Sequence, residues 1–258
     1  MPQKLGQHFL KDRKALEIIA HLVDVEYKDV LIEIGPGHGE LTKVLVNDFE
    51  NKRIKDYQII AIEKDRGLVD SGQWSVISKN LKIISGDALK VLSGLINHNH
   101  YKIVGNIPYY ITGHLLRVIG ELENKPSKTI LLIQKEVAQR ICAVPPRSNI
   151  LSLSVLFWSV PKIALNVPKE SFSPPPDVES AVIELKTREN IEIDVADRYY
   201  NFIKSAFKQP RKTLLNNLIS SGYNHQKAAE IIHQLQLPPM ARPQELRFES
   251  VLEISKLL

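Results

Sequence analysis

A chain of 258 residues with a formal net charge of +5 is long enough for one full α/β domain and a small appendage. Hydrophobic residues make up 43% of it, but no apolar run reaches membrane-spanning length, and the start Met1-Pro2-Gln3-Lys4 carries no signal-peptide pattern. The single cysteine, Cys142, excludes an intramolecular disulfide and a multi-thiolate metal site, so a reducing cytoplasm is the expected compartment and no membrane partner is expected.

The first predicted element is a helix over 13–22. Val30-Leu31-Ile32 then reads as a buried strand and 41–46 as the start of a helix. Glu33-Ile34-Gly35-Pro36-Gly37-His38-Gly39 therefore lies on a strand-to-helix turn, where glycines let the backbone approach a ligand closely. A dinucleotide fold wants G-x-G-x-x-G, with the third glycine seating a helix under a pyrophosphate. Here the glycines stand at 35, 37 and 39, and position 40 is Glu. This spacing favours an S-adenosylmethionine site over an NAD site.

A second strand over 59–62 ends in Glu63, 63 − 35 = 28 residues beyond the first glycine and placed to accept from both ribose hydroxyls. A third over 81–84 runs into Gly86-Asp87-Ala88, where Asp87 can accept from an adenine amino group and Ala88 is small enough to admit the ring. The fourth, Lys102-Ile103-Val104-Gly105, ends in Asn106-Ile107-Pro108-Tyr109. The Asn side-chain oxygen and one backbone carbonyl can hold the two hydrogens of a planar amine, while the Pro fixes the turn. A ring such as Tyr109 adds roughly 1–3 kcal/mol when it stacks on a base. Singly, these residues also read as solvated strand ends or a turn with a packed Tyr. Together they would line the carboxyl edge of a doubly wound sheet, where such folds bind ligands.

Further on, the pattern predicts a helix over 153–158, a strand over 162–167 and a last strand over 181–185. The alternation implies a Rossmann-like, mostly parallel sheet with helices on both faces. Beyond Glu189 only helices are predicted, over 195–207, 211–220, 226–235 and 248–257. The domains are therefore set at 1–187 and 188–258. Lys204, Lys208, Arg211 and Lys212 cluster without an acid between them, with Pro210 separating two helices. The cluster reads as an RNA contact or as a solvated helix junction. Cys142 reads as buried filler on a helix. His98 and His100 flank Asn99 without metal-ligand geometry, so no metal is expected.

With these motifs in view, the chain resembles the ribosomal RNA adenine N6,N6-dimethyltransferases, in the branch that modifies small-subunit RNA. The likeness runs from Leu5-Gly6-Gln7-His8-Phe9-Leu10 through the glycine turn, Glu63, Gly86-Asp87-Ala88 and Asn106-to-Tyr109. It continues through Leu132-to-Ala138, Phe172-Ser173-Pro174-Pro175-Pro176 with Ser180-Ala181-Val182, Phe207 with Arg211-Lys212-Thr213-Leu214, and Ala241-to-Leu246. A sister branch that methylates large-subunit RNA shares the catalytic motifs but fits Arg211-to-Leu214 and the tail poorly. Three departures stand out: His8 where the family often has Asn, Asp177 where Lys is common, and a loop over 144–151 without the expected Gly and Tyr.

The resemblance implies a class I methyltransferase sheet with one antiparallel strand and a helical C-terminal domain that recognises RNA. It implies S-adenosylmethionine bound by Gly35, Gly37, Glu63, Asp87, Ala88 and Asn106, with His8 and Leu10 contributing, the former largely through backbone. Asn106, Ile107, Pro108 and Tyr109 would carry the chemistry, with Phe172 stacking on the second face of the target base. The partner would be ribosomal RNA in an immature small subunit, met by a monomer. The target amine is a poor nucleophile because its lone pair is delocalised. Two acceptors on its hydrogens would free that pair and aim it, and such positioning supplies a large part of a rate. A base in structured RNA would have to be extruded to reach the pocket. Two other classes remain at this point: a non-catalytic ribosome-assembly or transcription factor on the same scaffold, and an NAD-dependent oxidoreductase.

Overall fold

The computed structural model describes residues 8–71, 74, 77–95 and 100–258; Met1-to-Gln7, His98 and Asn99 lie outside the described residues. Nine strands are recorded among the described residues: β1 (Phe9–Leu10), β2 (Val30–Ile34), β3 (Gln58–Glu63), β4 (Leu81–Ser85), β5 (Tyr101–Asn106), β6 (Lys128–Gln134), β7 (Ser159–Val167), β8 (Phe172–Ser173) and β9 (Ser180–Thr187). Seven form one sheet in the order β4-β3-β2-β5-β6-β9-β7, while β1 and β8 form a separate antiparallel ribbon. The pairs β4–β3, β3–β2, β2–β5 and β5–β6 are parallel, and β9 runs antiparallel to β6. β2 is buried at every position, as expected for a central parallel strand covered on both faces.

The helices are α1 (Arg13–Val23), α2 (Glu40–Asn51), α3 (Arg66–Val69), α4 (Ala88–Val91), α5 (Thr112–Glu121), α6 (Lys135–Ile141), α7 (Ile150–Trp158), α8 (Ala196–Ala206), α9 (Leu214–Ser220), α10 (His225–Gln234) and α11 (Phe248–Leu257). α1 starts where it does because the Asp12 carboxylate accepts from the backbone N–H of Lys14 and of Ala15, at 2.9 and 3.2 Å. Its buried residues Leu16, Ile19, Ala20 and Val23 share one face and join Leu31, Leu45, Phe49 and Ile59 in the core beneath the sheet.

The chain divides into two compact units, one of Met1–Ala138 with Pro161–Thr187 and the other of Gln139–Val160 with Arg188–Leu258. Assigning all of 1–187 to the first domain is therefore corrected: the segment Gln139–Val160 belongs with the C-terminal helices. The cause is apolar packing. Leu153 and Phe157 of α7 sit in a core with Tyr199, Phe202 and Ile203 of α8, and the Tyr199 hydroxyl donates to the Leu153 carbonyl at 2.8 Å. The divergent loop is tied down in the same unit. Ser148 donates from its N–H to the Gln244 carbonyl at 3.0 Å and from its hydroxyl to the Leu246 carbonyl at 2.9 Å.

A second correction concerns Pro210. No helix begins there; α9 starts at Leu214, with the Thr213 hydroxyl accepting from the Asn216 N–H as its cap. The residues between are a turn organised by buried Asn217. Its Oδ1 accepts from the Gln209 N–H at 2.8 Å, and its Nδ2 donates to the Gln209 and Thr213 carbonyls. Cys142 is half-buried rather than core.

Candidate functional site

The carboxyl ends of β2, β3, β4 and β5 surround a cavity in the first unit that opens to solvent. The glycine turn forms its floor. Gly35, Gly37 and Gly39 all have positive φ, 67°, 60° and 81°, a region that side chains rarely adopt. At Gly37 space is short as well: a Cβ there would lie 2.7 Å from the Phe9 ring. The turn is pinned by the Gly35 N–H, which donates to the Ile62 carbonyl, and by the Gly37 N–H, which donates to Glu63 Oε2 at 3.2 Å.

Glu63, 3% exposed, accepts a second hydrogen bond from the Asp65 N–H on Oε1 at 2.9 Å. Each carboxylate oxygen has two lone pairs, so acceptor capacity remains on the cavity side. Asp87 caps α4 through Oδ1, which accepts from the Leu89 N–H at 3.1 Å. Its Oδ2 takes a hydrogen bond from the Lys64 ammonium at 2.9 Å. That bond, followed by the α4 backbone and the nearby positive charges, holds the Asp87 carboxyl below the usual carboxylate range against a raising effect of burial. Lys64 was not singled out in the sequence; an exposed Lys beside an acidic strand end has no distinctive pattern. Ala88 and Gly86 complete this wall.

The opposite wall is Asn106-Ile107-Pro108-Tyr109, followed by Tyr110, which is 67% exposed at the mouth and was also missed. Asn106 Nδ2 donates to the His8 backbone carbonyl at 2.8 Å. The amide nitrogen is thereby occupied, and Oδ1 is the acceptor left for the cavity. The Ile107 side chain is buried and its N–H donates to the Leu132 carbonyl, so what Ile107 offers the cavity is backbone. The Tyr109 hydroxyl is 2.8 Å from Ser180 Oγ, which fixes the ring.

Two expected site residues stand elsewhere. Phe172 does not line the cavity: it is 4% exposed, belongs to the core under the sheet, and pairs through β8 with Leu10 of β1. The ribbon turns its side chain inward, which the Pro-rich motif alone could not reveal. Leu10, also 4% exposed, borders a smaller cavity that shares Phe9, Gly35 and Asn106 with the first. That smaller cavity holds Glu33. Thr42 donates to Glu33 Oε2 at 2.7 Å, while Oε1 is buried with no partner. Burial, outweighing the Thr42 bond and joined by the charges of Glu63 and Glu40, pushes the Glu33 carboxyl up to about 7.

The basic cluster lies in the second unit. Lys204, Lys208, Arg211 and Lys212 are all exposed, and none takes part in an ion pair among the described residues. The Lys208 ammonium donates to the Ser220 carbonyl at the end of α9, at 3.0 Å. Among the described residues no group of three His, Cys, Asp or Glu could hold a metal ion, and no helix is long and apolar enough to cross a membrane.

A family model described as ribosomal RNA adenine dimethylase matches residues 2–258. The chain belongs to this family. It is similar to the ribosomal RNA small subunit methyltransferase A of Mycoplasmopsis pulmonis, at 37% identity over 96% of this chain and 94% of that one. It is also similar to the protein of the same name from Fusobacterium nucleatum, at 33% identity over 99% and 96%. Among solved structures, a dimethyladenosine transferase from Plasmodium falciparum superposes with a TM-score of 0.80 at 23% identity, covering 97% of this chain and 98% of that one. The 23S rRNA methyltransferase ErmE superposes at 0.77, also at 23% identity, covering 97% and 99%. These last two establish the class I methyltransferase fold, with its small helical appendage, for this dimethylase family member.

Proposed function

We propose that the protein transfers methyl groups from S-adenosylmethionine to N6 of two adjacent adenosines in small-subunit ribosomal RNA, giving N6,N6-dimethyladenosine. The substrate is the RNA of an immature small subunit, met in the cytoplasm by a monomer, and the reaction belongs to small-subunit biogenesis. Membership of the dimethylase family supports this reading, as do two relatives named for the small subunit that match along almost their whole length. The observation that carries the mechanism is the bond from Asn106 Nδ2 to the His8 carbonyl.

The cavity fits the cofactor. Close backbone approach at Gly37 and free acceptor capacity on Glu63 and Asp87 suit a ligand with ribose and adenine groups. When bound, S-adenosylmethionine supplies a methyl group on a strongly electrophilic sulfonium. The protein's part is to prepare the nucleophile. Asn106 Oδ1 and the Ile107 carbonyl accept the two amine hydrogens, drawing the nitrogen towards tetrahedral geometry and freeing its lone pair. Tyr109, its ring fixed by Ser180, covers one face of the base. No strong general base is needed, because the proton leaves only after the nitrogen has become cationic.

RNA selection is assigned to the second unit, where Lys204, Lys208, Arg211 and Lys212 would contact phosphates, which position a protein without reading bases. The test is incubation of undermethylated small subunits with labelled S-adenosylmethionine, followed by nucleoside analysis. Wild-type protein is expected to yield dimethyladenosine, and Asn106→Ala to yield almost none with its fold intact. Near-wild-type product from Asn106→Ala would sink the mechanism, and label in large-subunit RNA alone would sink the substrate assignment.

A further inference from the structure

The displacement of Phe172 into the core leaves one face of the target base without a ring. His8 supplies one. Its imidazole lines the same cavity as Tyr109. The two ring centroids are 6.3 Å apart, and the planes differ by 23°. A flat base held between two rings needs about 7 Å, twice a carbon contact of about 3.5 Å. The rings are therefore within 23° of parallel, and their centroid separation falls about 0.7 Å short of that span, so the pair must part for a base to enter.

The imidazole is also held. His8 Nδ1 lies 2.9 Å from the Pro174 carbonyl; a carbonyl only accepts, so Nδ1 carries the hydrogen. The backbone of the same residue receives Asn106 Nδ2. Immediately downstream, Phe9 and Leu10 are locked to Ser173 and Phe172. Asn106, the Tyr109 ring and the His8 ring thus line one cavity, and each is held by its own hydrogen bond.

We propose that the His8 ring is the second wall of the slot that receives the target adenine, opposite Tyr109. This rests on the reading that the cavity methylates adenine, and it gives the His8 side chain a role toward the substrate rather than the cofactor. The slot opens slightly as the base enters between two π faces, an arrangement that tolerates imidazole or another flat ring but not an aliphatic side chain.

The test measures kcat/KM for methylation of undermethylated small subunits by His8→Ala and His8→Phe, together with cofactor affinity by calorimetry. Loss of one stacked face lowers kcat/KM about tenfold in His8→Ala. His8→Phe recovers most of it, although it cannot donate to the Pro174 carbonyl. Cofactor affinity stays within about twofold, because the backbone carbonyl that orients Asn106 remains. Wild-type kcat/KM in His8→Ala would overturn the inference, and so would equal losses in the Ala and Phe variants, which would mean that the hydrogen bond and not the ring matters. Wild-type protein that binds cofactor but methylates no subunit would instead overturn the function beneath it.

Discussion

Glu33 makes the fold's stability depend on pH in a direction unusual for a carboxylate. Its side chain is buried, one oxygen has no partner, and the carboxyl is raised from an ordinary value of 4.5 to about 7. In the unfolded chain the group ionises near its ordinary value. Between these two limits the folded protein therefore holds a proton that the unfolded chain has lost. Stability contributed by the neutral acid is fully present below about pH 4.5 and falls as pH rises towards 7. At about 1.4 kcal/mol per pH unit, a rise of 7 − 4.5 is worth about 3 kcal/mol. Glu33→Gln keeps an acceptor for the Thr42 hydroxyl but cannot ionise. Urea denaturation of the ligand-free proteins from pH 5 to pH 8 should show the variant gaining most of that 3 kcal/mol relative to wild type. Parallel stability curves for the two proteins would refute the reasoning.

Glu63→Ala removes the acceptors for the Gly37 and Asp65 N–H groups and, on the proposed reading, those for the ribose hydroxyls. At roughly 1.5–3 kcal/mol per charge-assisted bond, cofactor affinity should fall by one to two orders of magnitude by calorimetry, and Asp87→Ala should do likewise; unchanged binding in both would remove them from the site. Phe172→Ala should cost about 3–5 kcal/mol of stability as a core truncation, read by urea unfolding, while the protein that stays folded retains methylation. Full stability with lost activity would return that ring to the substrate pocket. Reversing charge at Arg211 and Lys212 should weaken binding to the small subunit and flatten its salt dependence by about one unit per lost phosphate contact, leaving cofactor affinity alone; an unaltered salt slope would favour a structural role for the pair.

The sheet was legible because buried parallel strands are short apolar runs, as in 30–34, 59–62 and 101–105, each ending in a turn residue. The glycine turn, Glu63, Asp87 and Asn106 were legible because backbone proximity and a polar strand end leave marks in the residue types themselves. What failed depended on tertiary contacts. Phe172 lies in a motif whose direction is set by pairing with β1, 162 residues away from Leu10 by 172 − 10. The start of α9 is decided by the reach of Asn217 back to Gln209, not by Pro210. The segment Gln139–Val160 changes units because Leu153 and Phe157 find their partners beyond residue 196. The Lys64–Asp87 pair and the tilt of the His8 ring arise only once the strand ends are brought together.

An amide side chain has nearly the same shape either way round, and only its hydrogen bonds distinguish the oxygen end from the nitrogen end. For Asn106 that distinction comes from the His8 carbonyl, just ahead of the β1–β8 ribbon. Peeling the ribbon away would let the amide turn over and present hydrogens to an amine that needs acceptors. The glycine turn, Glu63 and Asp87 are held by bonds outside the ribbon and would stay, but the wall supplied by His8 and Phe9 would go with it, and on the proposed mechanism the attacking nitrogen would be repelled. On the proposed mechanism, a short two-stranded ribbon outside the main sheet therefore governs which end of the Asn106 amide faces the cavity.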